Sequence, residues 1–268
     1  MRIVIGSLFL LFLATTGVAQ ESAPAPEPMV QVRSLTIVAG DLPAAERQRI
    51  EHSLQGGTYS AEELAERVRL SLLDLGYYNA RTKTLQLAAI NESLPSRSAE
   101  VSIQVEPGVQ YRLGEIGFQG ASVFPPDQLR RQFPIEAGSL FNASSIGKGL
   151  EGLKYLYVES GYVNFGAIPL PRIDEARRVI DLTIDVDEGK PYDFGRLFLA
   201  GTEPQAGAAK ALLAAWGGIE GRRYNPKLLA KWLAANAPFL QKGENTPQQV
   251  TSHQDQASNR IDIQLEFP

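Results

Sequence analysis

A period of 81 residues constrains this chain more than any other feature. Val32, Leu113 and Phe194 are spaced by it, as are Leu35, Ile116 and Leu197, and Ile37, Phe118 and Leu199. Each triple lies in a short strand-like run that ends at Gly40, Gly120 or Gly201. The second and third copies also share Tyr111 with Tyr192, and Gly114 with Gly195. Self-similarity at a fixed spacing sets the architecture before any single residue does, and here it demands three tandem copies of one small module.

Each copy continues with two helix-like segments. The first runs over Ala44 to Leu54, Pro126 to Phe133 and Ala206 to Trp216. The second follows a recurring signal of Gly, an aromatic three residues on, and then a Ser or Asn: Gly56, Tyr59, Ser60; Gly138, Phe141, Asn142; Gly221, Tyr224, Asn225. The glycine suits the left-handed end of the first helix and the Ser or Asn caps the amides of the second. Ser60 with Glu63 reads as a capping box. Leu64, Val68, Leu72 and Leu75 recur at helical spacing, as do Leu150, Leu153 and Tyr157, and Leu228, Leu229, Trp232 and Leu233. Copies one and two end this helix with Gly-Tyr-x-Asn, at Gly76 to Asn79 and Gly161 to Asn164, and copy three lacks it.

Two strands close each copy, and the last alternates apolar with polar residues: Val101, Ile103, Val105; Leu182, Ile184, Val186; Ile261, Ile263, Leu265. The expected fold is α+β, three tandem βααββ modules at 29–108, 109–189 and 190–268, each a three-stranded sheet covered by two helices. The polar stretch 241–259 has no clear place in this scheme.

Arg2, the apolar run Ile3 to Ala14 and the small residues up to Ala19 have the layout of a secretory signal peptide over 1–19. Residues 20–28, with Pro24, Pro26 and Pro28, read as a stiff spacer. The chain has no cysteine, which excludes a disulfide framework and thiolate chemistry and suits export to a bacterial periplasm. A net charge of -4 argues against nucleic acid as the partner.

The βααββ unit, the Gly-x-x-aromatic-Asn/Ser signal, the Gly-Tyr after the second helix and the short Gly turns together resemble the POTRA repeats of BamA-type outer-membrane assembly and two-partner-secretion translocators. The resemblance runs from Met29 to Pro268 and is weakest in copy three. Proteins of that family continue into a membrane β-barrel, whereas this sequence ends at Phe267-Pro268, so the expectation is a periplasmic arm without the barrel. It implies a scaffold for outer-membrane protein assembly or polypeptide transport, located in the periplasm and associated with the outer membrane. The partners implied are unfolded outer-membrane or secreted polypeptides, or an outer-membrane barrel protein. The alternatives are an envelope-organising, division-type POTRA protein held by an uncleaved N-terminal anchor, and a truncated arm of a barrel translocator.

No catalytic constellation, cofactor, metal site or small-molecule substrate is expected. His52 and His253 are isolated, and Gly147-Lys148-Gly149 lacks the rest of a phosphate loop and reads as small residues under a tight helix contact. Asp181, Asp185 and Asp187 read as the solvent face of a strand, and the doublets Arg130-Arg131, Arg177-Arg178 and Arg222-Arg223 as solvated faces. What remains is backbone. The resemblance places the middle strand of each copy at a sheet edge, where its amides and carbonyls can pair with an extended peptide. In copy one that strand is Ala80 to Ala88, the only such segment read as proline-free, and the expected binding residues are Thr82, Lys83, Thr84, Leu85, Gln86 and Leu87. In copy two Pro169 and Pro171 blunt it.

Overall fold

The computed structural model describes residues 29–91, 98–201, 206–240 and 249–266. The expected signal peptide and spacer, and Phe267-Pro268, lie outside the described residues. The first unit contains β1 (Val30–Val38), α1 (Ala44–Leu54), β2 (Thr58–Tyr59), α2 (Ala61–Asp74), β3 (Arg81–Asn91) and β4 (Ser98–Glu106). The second contains β5 (Arg112–Gln119), α3 (Pro126–Arg130), α4 (Ala143–Val158), β6 (Gly166–Asp174) and β7 (Val179–Asp187). The third contains β8 (Asp193–Ala200), α5 (Ala208–Trp216), α6 (Pro226–Ala235), α7 (Ala237–Leu240), β9 (Gln249–Asp255) and β10 (Arg260–Glu266).

The sheets are ordered β2-β1-β4-β3, β5-β7-β6 and β8-β10-β9. In each, the last strand lies between the first long strand, with which it pairs parallel, and the middle one, which pairs with it antiparallel at the rim. The alternating residues of β4, β7 and β10 are all buried under the helices, and each unit has its own hydrophobic core, to which Tyr78 of the first unit and Val163 of the second add at the next core along. The fold is therefore α+β with three βααββ units, but the first sheet has four strands, because Thr58–Tyr59 adds a short one beside Val30 and Gln31.

That addition exposes what the repeated glycine signal does. Gly56, Gly138 and Gly221 have φ of 84°, 84° and 75°. Their amides bond back to the carbonyls of Val32, Leu113 and Phe194, at 2.8, 2.7 and 2.8 Å. The signal therefore clips the outer edge of the first strand, whereas α1 itself ends on an extended Gln55. The capping assignment holds: Ser60 accepts from the Glu63 amide, Asn142 from Ser145 and Asn225 from Lys227 and Leu228. The return half of the expected capping box does not form, since the Glu63 carboxylate takes the Arg67 guanidinium one turn on.

Gly114 and Gly195 sit at a bulge where the parallel register slips. A methyl group at either would overlap the carboxylate of Asp181 or Asp262, which accepts from the freed amide of Glu115 or Arg196. Asp181 is thus part of the framework as well as of the solvent face. Gly149 packs against the Phe133 ring, as a tight helix contact requires, and Arg130 donates to the carbonyls of Phe133 and Ile135, so it braces a loop. The first helix of the second unit stops at Arg130, three residues early. In the third unit the stretch expected to be hard to place contains β9, paired along its length with β10, while 241–248 lies outside the described residues.

Neighbouring units are joined by one pattern used twice. The Tyr111 amide donates to the Gly76 carbonyl and the Tyr192 amide to that of Gly161, both at 2.8 Å. Asn79 and Asn164 donate to the hydroxyls of the same tyrosines. The capping asparagines reach backwards as well, Asn142 to the Asp74 carbonyl and Asn225 to that of Glu159. The Gly-Tyr-x-Asn motif is thus the socket of a joint.

Glu188, in the turn after β7, accepts from both the amide and hydroxyl of Ser122, from the Val123 amide and from the Tyr157 hydroxyl. Desolvation pushes its carboxyl pKa up, but these hydrogen bonds together outweigh it and hold the value at about 2 instead of 4.5. A depressed folded value contributes stability that is fully present above pH 4.5 and is lost as pH falls towards 2. Urea titrations of wild type and Glu188→Gln should show a stability difference that is constant from pH 7 to about 5 and shrinks across that window. A difference independent of pH would mean that the ionised form is not what these donors stabilise.

Candidate functional site

Sheet edges are hazards that proteins close, so an edge left open singles itself out. In the first sheet one edge is covered over much of its length. Beyond β2, the Val32 amide donates to Gly57, Gln55 donates to the Arg33 carbonyl, and the Glu51 carboxylate accepts from the Ile37 amide at 2.7 Å. The opposite edge is β3, which pairs with β4 on one side only.

Of the expected binding residues, Thr82, Lys83, Thr84, Leu85, Gln86 and Leu87 all lie on this strand, yet they are not equivalent. The register runs Thr82↔Val105 and then Leu85↔Ile103, so Lys83 and Thr84 share a bulge. Lys83 is also tied to Glu106 by an ion pair at 2.5 Å. Bulges and edge lysines both blunt pairing. From Leu85 to Ala88 the ladder is regular, with Leu85 packed on the core and Leu87 47% exposed.

The other rims differ in chemistry. On β6, Pro169 and Pro171 oppose Ile184 and Leu182 in an unbroken register. A proline tolerated inside a paired strand has its missing amide on the open side. The β6 rim therefore lacks two outward donors in its middle. On β9 the rim residues include Thr251, Ser252, Gln254 and Asp255, and no proline. The first unit is thus not alone in offering a proline-free edge, a correction that follows from the strand found inside the polar stretch.

Sequence reasoning missed a second feature. An apolar groove of about 290 Å³ lies across the first joint, with Leu73 and Tyr78 from the first unit on one wall and α4 and β6 of the second unit on the others. Its signal was Gly147, read as close packing. Unlike Gly149, it faces open space: nothing lies within 4 Å of where a methyl group would be. Among the described residues no cluster of acidic and histidine side chains is arranged to hold a metal, and no helix is long and apolar enough to cross a membrane.

The family model of POTRA, the surface antigen variable number repeat, matches residues 111–189, the second unit. The fold over 91% of the chain superposes on the crystal structure of BamA POTRA domains 3–5 from Haemophilus influenzae, 99% of which is covered, with a TM-score of 0.61 at 19% identity. The second unit matches the POTRA repeat, and the three units share the fold of tandem POTRA domains. In sequence they are similar to the outer membrane protein assembly factor BamA of Buchnera aphidicola, 26% identical over 216 residues, which is 78% of this chain and 33% of that protein. A putative outer membrane protein assembly factor of Treponema pallidum is 23% identical over 129 residues, 48% of this chain and 15% of that one. The chain thus spans a third or less of the length of these two relatives. The POTRA match falls on one of the two units in which the Gly-Tyr-x-Asn socket and the glycine clip are both present.

Proposed function

We propose that this chain is a periplasmic POTRA scaffold in outer-membrane protein assembly or polypeptide transport, and that its first module captures an extended polypeptide by strand addition along β3. The partner is an unfolded outer-membrane or secreted polypeptide, or a strand offered by a barrel protein. The observation that carries the reading is the asymmetry of the first sheet: one edge is closed by β2, Gln55 and Glu51, and the other is left open over Leu85 to Ala88. The relatives named for outer-membrane protein assembly supply the biological setting. The module limits 29–108, 109–189 and 190–268 belong to the same proposal, as does the processing of residues 1–19.

The recognition is main-chain pairing with room for alternate side chains, so it tolerates many sequences and depends little on charge. Fluorescence anisotropy titration with a urea-unfolded outer-membrane barrel polypeptide is expected to show saturable binding that changes little with added salt. Binding that collapses with salt would move the contact to exposed cations such as Arg222, and no binding at all would remove the scaffold reading.

A further inference from the structure

The groove across the first joint extends this reading, on which it rests. We propose that a polypeptide held on β3 runs on into this groove and anchors there one bulky apolar side chain, so that the first two modules read a single segment in two ways. The chemistry is set by the walls. Leu73 and Tyr78 come from the first module, Gly147 and Leu150 from α4, and Pro169 and Pro171 from β6. Apart from the Tyr78 hydroxyl, these side chains offer nothing polar, and the two prolines remove the outward amides with which the β6 rim would zip onto a backbone. A side chain, not a main chain, is what the site can take.

Continuity names the occupant. Tyr78 precedes Arg81, the first residue of β3, by three positions, so the groove opens within roughly 10 Å of the joint end of that strand. A chain leaving the regular ladder at Leu85 reaches it after passing Arg81, a spacing of roughly four to eight extended residues. The volume, about 290 Å³, sits at the lower limit of ligand pockets, roughly 300–1,000 Å³, and suits one aromatic or two aliphatic side chains. Gly147 is the independent sign. A glycine inside a helix weakens it relative to alanine, and here no neighbour requires the missing side chain, whereas Gly149 and Gly152 in the same helix each have one. The space is kept open for something that is not part of this chain's own core. The two halves of the groove are held together by the joint bonds of Asn142 and Ser144 to Asp74.

The experiment uses synthetic peptides with a run of about six alternating Thr and Val for the β3 edge and a Phe roughly five residues beyond either end, with matched peptides in which that Phe is Ser. Anisotropy titration against the folded chain should show one Phe peptide binding about tenfold or more tightly than its Ser partner, the gain from burying an aromatic side chain. Gly147→Leu puts a side chain into the groove from a position where the first added carbon meets nothing within 4 Å. It should melt no lower than wild type, leave the Ser peptides unchanged and bring the ratio to about one. Equal affinities in wild type overturn the groove, as does a ratio that survives Gly147→Leu. The Ser peptides read the edge alone: if they fail to bind while a Phe peptide binds and responds to Gly147→Leu, the edge falls and the groove stands, and peptides that bind neither way overturn both.

Discussion

Leu87→Pro is expected to leave the protein folded while lowering its affinity for an unfolded outer-membrane polypeptide about tenfold, within the range of one lost hydrogen bond whose partner is left unsatisfied. Gln86→Pro, one residue away, is expected to unfold the first module. The contrast follows from register. Leu85 and Leu87 oppose Ile103 and Val101, while Pro169 and Pro171 oppose Ile184 and Leu182, the residues 81 positions on. The two leucines therefore occupy the places that the second module fills with proline, where the amide points outward and its loss spares the ladder. Gln86, between them, directs its amide to β4, and proline there removes a ladder bond and leaves its β4 partner unsatisfied at about 1–3 kcal/mol, before any strain from the ring, a large share of the roughly 5–15 kcal/mol that holds a domain. Circular dichroism melts separate the two variants, and anisotropy titration scores the survivor. A folded Leu87→Pro that binds as wild type does would sink the edge as the recognition surface.

The fold was largely legible because repetition and alternation are direct consequences of packing. The buried faces of β4, β7 and β10, the caps at Ser60, Asn142 and Asn225 and the ends of α1 all follow from residues that only one structure satisfies. The rest depended on partners distant in sequence. Whether Gly56, Gly138 and Gly221 end a helix or clip a strand turns on a bond to a carbonyl some 25 residues earlier, which no local pattern carries. The bulge that removes Lys83 and Thr84 from the regular edge is a matter of pairing with β4, invisible in β3 itself. β9, expected in the third copy, could not be placed within 241–259 because its Thr251, Ser252, His253 and Gln254 have no apolar alternation: a rim strand can be polar when its pairing partner supplies the buried face. The groove escaped notice for a related reason, since it exists only where two modules meet.

The joints give the second large effect, and a matched pair of glycines isolates it. Gly161→Ala is expected to loosen the second module from the third, whereas Gly138→Ala should cost stability without changing their relative placement. Both residues have left-handed φ, 90° and 84°, so each alanine pays a similar backbone strain of about 1–2 kcal/mol. Their surroundings differ. A methyl group at Gly138 meets nothing within 4 Å, while one at Gly161 would lie 2.8 Å from the Tyr192 carbonyl and overlap the Arg223 side chain, both in the next module. Relief requires that Tyr192 withdraw, which breaks its 2.8 Å bond to the Gly161 carbonyl and pulls on the Asn225 bond to Glu159. Because the chain has no cysteine of its own, spin labels on Lys154→Cys and Ala214→Cys report one distance across this joint. In wild type and Gly138→Ala the distance distribution should be narrow and the same, and in Gly161→Ala it should broaden. If Gly161→Ala retains the narrow distribution, the socket is not what orients these modules, and the shared hydrogen bonds would be a consequence of their placement instead of its cause.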